Sequence, residues 1–371
     1  MKKILIFAGR YLPGHKDGGP LRTLINLTDA LYKEYDFYIA CYDRDHGDTK
    51  PYQNIEYNTW NQVGNAKVWY IPEGKFTKKT ILKLSKDKDI IYLTRFFEQY
   101  AYNTLNLKKQ KKINIPIALA SMGVFSQDAM NRKALKKSIF IKVCNTFKLF
   151  KNITWSVTSE IEAKDVKRII GNDVKYVVAE DLPRTNVPGR TRKFGTTLKI
   201  VFLSRICEHK NLSIVIDAVN AVKKNENIEL YIYGPIEERK YWEKCLMKLK
   251  NVKYKWKYGG DVPSEKVQDI LSKYDIFILP SKSENYGHAI FEAMSVGCIP
   301  IISDRTPWKE LNEKKLGFEI PLDVEKFTQK INIILNMSLE EREKMSKRAI
   351  DYANYKVRIA LKNTGYRNIF K

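Results

Sequence analysis

Short apolar runs rich in branched and aromatic residues alternate with longer stretches whose apolar positions recur every three or four residues, and this alternation organises most of the chain. In the first half KILIFAG, FYIACYD, AKVWYI, DIIYLT, PIALAS and ITWSVTS read as strands, with helical periodicity between them, as at residues 20–35 and 129–150. Strands separated by helices predict a parallel sheet covered by helices. The pattern breaks at residues 182–197, LPRTNVPGRTRKFGTT, where prolines, glycines and polar residues suit a linker. It restarts with LKIVFLS, IELYIYG, NVKYKWK, DIFILPS and CIPIISD, separated by helical segments at 212–223, 241–249 and 264–273. The expected architecture is α/β: two Rossmann-like, doubly wound parallel-sheet domains facing across a cleft. Residues 1–188 are expected to form the first and 189–351 the second, with a C-terminal helix at about 352–371 packing back on the first.

Length agrees with this division, since 371 residues exceed what one ordinary hydrophobic core organises. The apolar run at residues 4–8 is too short for a secretion signal and reads as the first strand. No run approaches the roughly 20 residues that span a bilayer. The five cysteines, Cys41, Cys144, Cys207, Cys245 and Cys298, are far apart and suit a reducing cytosol without disulfides or zinc.

Charge changes the picture more. The net charge is +24, of which residues 1–200 supply +17 and residues 201–371 only +7, so the first half is expected to face something anionic. Residues 101–150 alone hold ten Lys+Arg against the single acid Asp128. Within them KALKKSIFIKVCNTFKLFK interleaves lysines with apolar residues at helical spacing, predicting one apolar and one cationic face. Such a helix either packs its apolar side on the sheet or lies on an anionic bilayer. Lys133, Lys136, Lys137 and Phe140 are the candidate contacts with a membrane or an acceptor. A basic surface can also bind nucleic acid, but no motif for that is present, and no such partner is expected.

Ligands of open parallel sheets bind beyond the carboxyl ends of the strands, which directs attention to four loops. The first, GRYLPGHKDGGP, holds Gly18 and Gly19 before a helix that can start at Pro20; it is either a phosphate-approaching loop or a flexible turn, and it matches neither GxGxxG nor a P-loop. The second, LSRICEHKNL, places Arg205 and Lys210 where a fork and a point charge suit a diphosphate, unless both are simply solvated. The third, SKSENYGHAIFEAMSVG, has Glu284 in the loop and Glu292 over one turn inside a helix starting near Gly287. Amides near Asn285, Tyr286, Gly287 and His288 can form an anion site, and the two carboxylates can accept sugar hydroxyls. Glu292 falls within Ala289, Ile290, Phe291, Ala293 and Met294, where a purposeless glutamate would be costly to bury. The fourth loop, CYDRDHGD, carries a DxD at Asp43 and Asp45, read as a turn rather than a metal site. With only His15, His46, His209 and His288 dispersed along the chain, no metal is expected.

Together, the EX7E spacing of Glu284 and Glu292, the upstream Arg205 and Lys210, the Gly18–Gly19 loop and the stretch GDVPSEKVQDILSKYDIFILPS resemble the retaining glycosyltransferases of family 4, which have the GT-B fold. The likeness covers nearly the whole chain and is strongest over residues 198–303. SMGVFSQDAMNRKALKKSIF and WSVTSEIEAKDVKRIIG also resemble members that build bacterial capsule and O-antigen. The resemblance implies that Glu292 holds the ribose, Glu284 the donor sugar, Arg205 and Lys210 the diphosphate, and the loop near Val262 the base. It further implies a co-substrate rather than a cofactor, a nucleotide diphosphate sugar with UDP as the expected nucleotide. The basic face of the first half adds the expectation that the acceptor is a lipid-linked glycan at the cytoplasmic face of the membrane. Two positions depart from the family: Ser121, Met122 and Gly123 stand where many members have a histidine, and Ser204 replaces a frequent glycine. An epimerase or phosphorylase on a similar fold, and a non-catalytic polyanion- or membrane-binding relative, are the alternatives.

Overall fold

The computed structural model describes all residues except 46, 127–129, 131–133, 191–192 and 224–226. The chain divides into two compact units, Met1–Leu182 with Ala360–Lys371, and Pro183–Ile359. The first boundary thus falls six residues before the expected 188, at the start of the proline-rich segment. The long helix Leu339–Asn363 stays with unit 2 for most of its length, and only residues from 360 onward belong to unit 1.

Unit 1 is an eight-stranded sheet in the order β3-β4-β2-β1-β5-β6-β7-β8. Its strands are β1 Lys2–Phe7, β2 Tyr35–Tyr42, β3 Asn61–Val63, β4 Ala66–Ile71, β5 Ile90–Leu93, β6 Ile117–Ala120, β7 Thr154–Val157 and β8 Tyr176–Val178. All pairings are parallel except the β3–β4 hairpin at the edge. Ile4, Leu5, Ile6 and Phe7 are all fully buried, which explains why β1 is a continuous apolar run. Leu5 and Phe7 enter one core layer, and Ile4 and Ile6 the other, as the two-residue period of a strand dictates. The chain's last residues complete that second layer. Phe370 packs edge-on against Tyr35 and Tyr92 at ring separations of 5.3 and 5.8 Å, and Gly365 lies so close to the Val178 carbonyl that a Cβ would stand 1.9 Å from it.

Unit 2 is an all-parallel six-stranded sheet, β11-β10-β9-β12-β13-β14, with β9 Leu198–Leu203, β10 Ile228–Tyr233, β11 Lys255–Tyr258, β12 Ile276–Leu279, β13 Ile299–Ser303 and β14 Phe318–Ile320. The short strands β3, β8 and β14 lack a run long enough to stand out in the sequence. Ion pairing also contributes: Arg190 reaches the fully buried Asp275 at 2.6 Å, and the same Asp275 accepts the Lys199 amide at 2.9 Å, fixing the start of β9.

Candidate functional site

In unit 2 the neighbouring strands β9 and β12 send out the two loops that matter most. The loops at 204–211 and 280–287 are tied together along their backbones. The Lys282 amide donates to the His209 carbonyl at 2.9 Å, the His209 ring lies 3.0 Å from the Ser283 carbonyl, and Lys282 pairs with Glu208 at 3.1 Å. That pairing holds the Glu208 carboxyl below its ordinary range. From within this joint Lys210, only 8% exposed, extends Nζ to Glu284 Oε1 at 2.5 Å. The structure therefore brings together two of the residues singled out from sequence, 74 positions apart.

The helix His288–Ser295 starts beside that pair. Gly287 caps it at φ 82°, and an added Cβ would come within 2.8 Å of Ile290 and 3.3 Å of Trp308, so the position favours glycine twice over. Trp308 Nε1 donates to the Tyr286 carbonyl at 2.6 Å, and the Tyr286 ring stacks obliquely on His288 at 4.8 Å. The loop is thus held so that the positive end of the helix dipole faces the Lys210–Glu284 pair's side of the sheet. Glu292, 4% exposed, sits one turn further in, with Arg184 Nη1 3.7 Å away. Arg205 is exposed and paired with Glu237 from the loop after β10. Gly234 lets that loop abut the Ser204 backbone, where a Cβ would stand 1.9 Å from the Ser204 carbonyl oxygen. Asn285 is exposed, and Val262 is half-buried against the unit's core. Arg184, Trp308 and Glu237 escaped the sequence reading. Trp308 could have been found, since it follows strand CIPIISD in another carboxyl-end loop; Arg184 lies in what reads as linker and gives no such signal.

Unit 1 holds the remaining residues. Gly18, at φ 63°, caps the helix Gly19–Leu31, and the loop before it is bonded to its surroundings through two carboxylates. Asp45 accepts the His15 and Lys16 amides at 2.7 and 3.0 Å, and Asp17 pairs with Arg95 at 2.6 Å. Asp43 accepts from Arg44 at 2.9 Å and from the Tyr57 hydroxyl at 2.7 Å. Both DxD carboxylates are buried and serve the loop. Among the described residues no group of three or more His, Cys, Asp or Glu could hold a metal ion.

The SMG loop after β6 is organised by a residue not singled out from sequence. Buried Glu162 accepts from the Ser121 hydroxyl and the Gly123 amide at 2.7 and 2.5 Å through one oxygen, and from the Thr158 amide and hydroxyl at 2.7 and 2.8 Å through the other. Four donors on one carboxylate fix the loop, with Met122 held at φ 46°. Nearby in chain, burial pushes the Asp181 carboxyl up to about 7 despite its bond with Thr23, with the negative charge of Glu162 adding to the rise.

Among the proposed membrane contacts, Lys133 lies outside the described residues. Lys136 is exposed, while Lys137 places its ammonium 5.3 Å from the Phe97 ring centre. Phe140 is half-buried. It packs against Phe96, Phe97 and Tyr102 at 5.5, 5.8 and 5.9 Å, because this side of the helix faces the aromatic core. The expected pairing of one apolar and one cationic face is corrected, since Leu135, Ile139 and Val143 form a second apolar face on the exposed side. No helix among the described residues is long and apolar enough to cross a membrane.

Residues 183–352 match the family model described as Glycosyl transferases group 1. Unit 2 carries a group 1 glycosyltransferase domain. The match begins at the first residue of the unit and ends inside the helix Leu339–Asn363. A curated relative, an uncharacterized glycosyltransferase of Methanocaldococcus jannaschii, is 27% identical over 104 residues, covering 28% of this chain and about a quarter (26%) of the relative. Solved structures resemble the whole chain. Anabaena HepE in complex with UDP and glucose has a TM-score of 0.71 at 15% identity, covering 98% of each chain. Sucrose-phosphate synthase of Thermosynechococcus elongatus has a TM-score of 0.70 at 15% identity, covering 98% of this chain and 97% of its own. A TarM variant of S. aureus, solved with UDP among its ligands, has a TM-score of 0.67 at 13% identity over the whole of both chains. The fold that the whole chain shares with them is GT-B.

Proposed function

We propose that the chain is a retaining glycosyltransferase of family 4 that moves a hexosyl or N-acetylhexosaminyl group from a nucleotide diphosphate sugar, with UDP as the nucleotide, to a glycan acceptor. The observation that carries this reading is the Lys210–Glu284 pair set beside the Gly287-capped helix start, with Glu292 buried one turn beyond. In the reading, the diphosphate takes the amides at the helix start together with Lys210 and Arg205. Binding would release Arg205 from Glu237 and Lys210 from Glu284, trading each carboxylate for a phosphate. Glu284, so freed, accepts hydroxyls of the transferred sugar, Glu292 accepts those of the ribose, and the loop near Val262 flanks the base. Preorganised cations and the helix dipole stabilise the charge developing on the leaving diphosphate, which itself accepts the acceptor's proton, so no side-chain nucleophile and no metal is required.

Further, the acceptor is proposed to be lipid-linked and the pathway one of bacterial surface polysaccharide. Support for the donor class comes from the group 1 domain and from structural neighbours solved with UDP or with UDP and glucose. The deciding experiment is a thermal-shift panel of UDP, GDP, ADP and dTDP with their sugars, repeated with a chelator. UDP and one UDP-sugar should raise Tm equally with and without chelator; no shift with any nucleotide overturns the reading. Incubation with the donor alone separates transfer from epimerisation, which would yield an isomerised nucleotide sugar.

A further inference from the structure

The helix Ala134–Thr146 presents apolar side chains on two faces. Phe140, Ile141 and Cys144 turn into the core of unit 1. At about 100° per residue, Leu135, Ile139 and Val143 fall on a separate stripe, and Phe147 continues it past the helix end. These four side chains are 76%, 55%, 39% and 52% exposed. A contiguous exposed stripe of this kind is unusual for a surface helix, whose outward face is ordinarily polar. A hollow of about 370 Å³, lined by Tyr102, Lys136, Ile139, Phe140 and Val143, extends it towards the body of the unit.

Lysines border the stripe on both sides. By the same angular spacing Lys142 falls on one flank and Lys136 on the other, and both are exposed. Lys109 stands at the far end, with Nζ 4.8 Å from the Phe147 ring centre. A second copy of the chain seated here would set lysine against lysine, since residues 101–150 hold ten basic residues and one acid. An anionic bilayer matches both features at once, its acyl boundary taking the stripe and its phosphates the lysines.

We propose that this face of unit 1 docks on an anionic lipid surface, with Leu135, Ile139, Val143 and Phe147 entering the headgroup–acyl boundary and Lys109, Lys136 and Lys142 pairing with lipid phosphates. The inference deepens the proposed function by placing the enzyme where a lipid-linked acceptor is found, and rests on that reading for its purpose alone.

The test is flotation of the full chain with phosphatidylcholine vesicles, with and without phosphatidylglycerol, in the absence of nucleotide. The protein should float with the phosphatidylglycerol vesicles and less so at high salt. Ile139→Asp with Val143→Asp should weaken partitioning roughly tenfold at unchanged Tm. Lys136→Glu with Lys142→Glu should weaken it roughly tenfold on the anionic vesicles only. Failure of the unaltered protein to float with anionic vesicles overturns the proposal, as does flotation of the aspartate variant equal to the original. A dimer by sedimentation velocity that the aspartate variant dissociates, without vesicle binding, overturns it in favour of a second copy. No nucleotide enters, so failure here leaves the transferase reading standing, and a silent nucleotide panel leaves this one.

Discussion

Lys210 and Glu284 form an ion pair between two loops that leave adjacent strands of one sheet, each side chain little exposed at 10% and 12%. A pair so enclosed has given up most of its hydration, and each partner depends on the other; in the proposed function a diphosphate and a sugar replace them. Lys210→Ala should slow transfer roughly a hundredfold and also lower Tm, because Glu284 is left as an uncompensated charge. Adding Glu284→Gln to that variant should restore the Tm but not the rate. Recovery of both, measured by initial rates and thermal melts, would show that the pair is structural only.

Trp308 holds the loop of the proposed donor site through the Tyr286 carbonyl. Trp308→Phe keeps an aromatic ring, smaller than the indole, but loses the donor, about 1 kcal/mol of hydrogen bonding, so UDP affinity should fall at least roughly fivefold with little change in maximal rate. Calorimetric titration with UDP reads the first and saturation kinetics the second.

Glu162→Ala would leave the Ser121 and Thr158 hydroxyls and two amides without their acceptor. A loss of about 3 kcal/mol or more is expected, a fall in Tm of roughly 6–12 °C for the affected unit. Glu162→Gln, which keeps two acceptor sites on one oxygen, should recover part of it. Equal melts for the alanine variant and the original would remove Glu162 from its role as anchor.

Asp181 makes stability depend on pH. Its folded carboxyl titrates near 7 and its unfolded one near 3.8, so between these values the folded state holds the extra proton. Its contribution is complete at the acidic end and is lost as pH rises from about 4 to 7, a swing of about 4 kcal/mol. Asp181→Asn should flatten this part of the profile and melt higher than the original at pH 8. Parallel Tm-against-pH curves for the two proteins would contradict it.

Much of this was legible in the chain because both sheets are parallel and covered on two faces, which writes each central strand as an uninterrupted apolar run. The EX7E spacing was legible for a related reason: Glu292 stands out only against apolar neighbours. What stayed hidden depends on contacts distant in sequence. Glu162 resembles an ordinary helix-start acid three residues after Ser159, and only the approach of β6 to β7 delivers the SMG loop to it. The second apolar face of residues 134–146 was hidden too, because helical spacing alone cannot say which of two stripes the sheet will cover.

Order of synthesis follows from the way residues 360–371 close unit 1. Every residue of unit 2 leaves the ribosome before Tyr366 and Phe370 do, so the second unit can finish folding while the first still lacks part of its core. The unit begun first is completed last. Removing residues 360–371 would therefore strip the amino-terminal sheet of its closing aromatics while leaving the group 1 domain its whole chain.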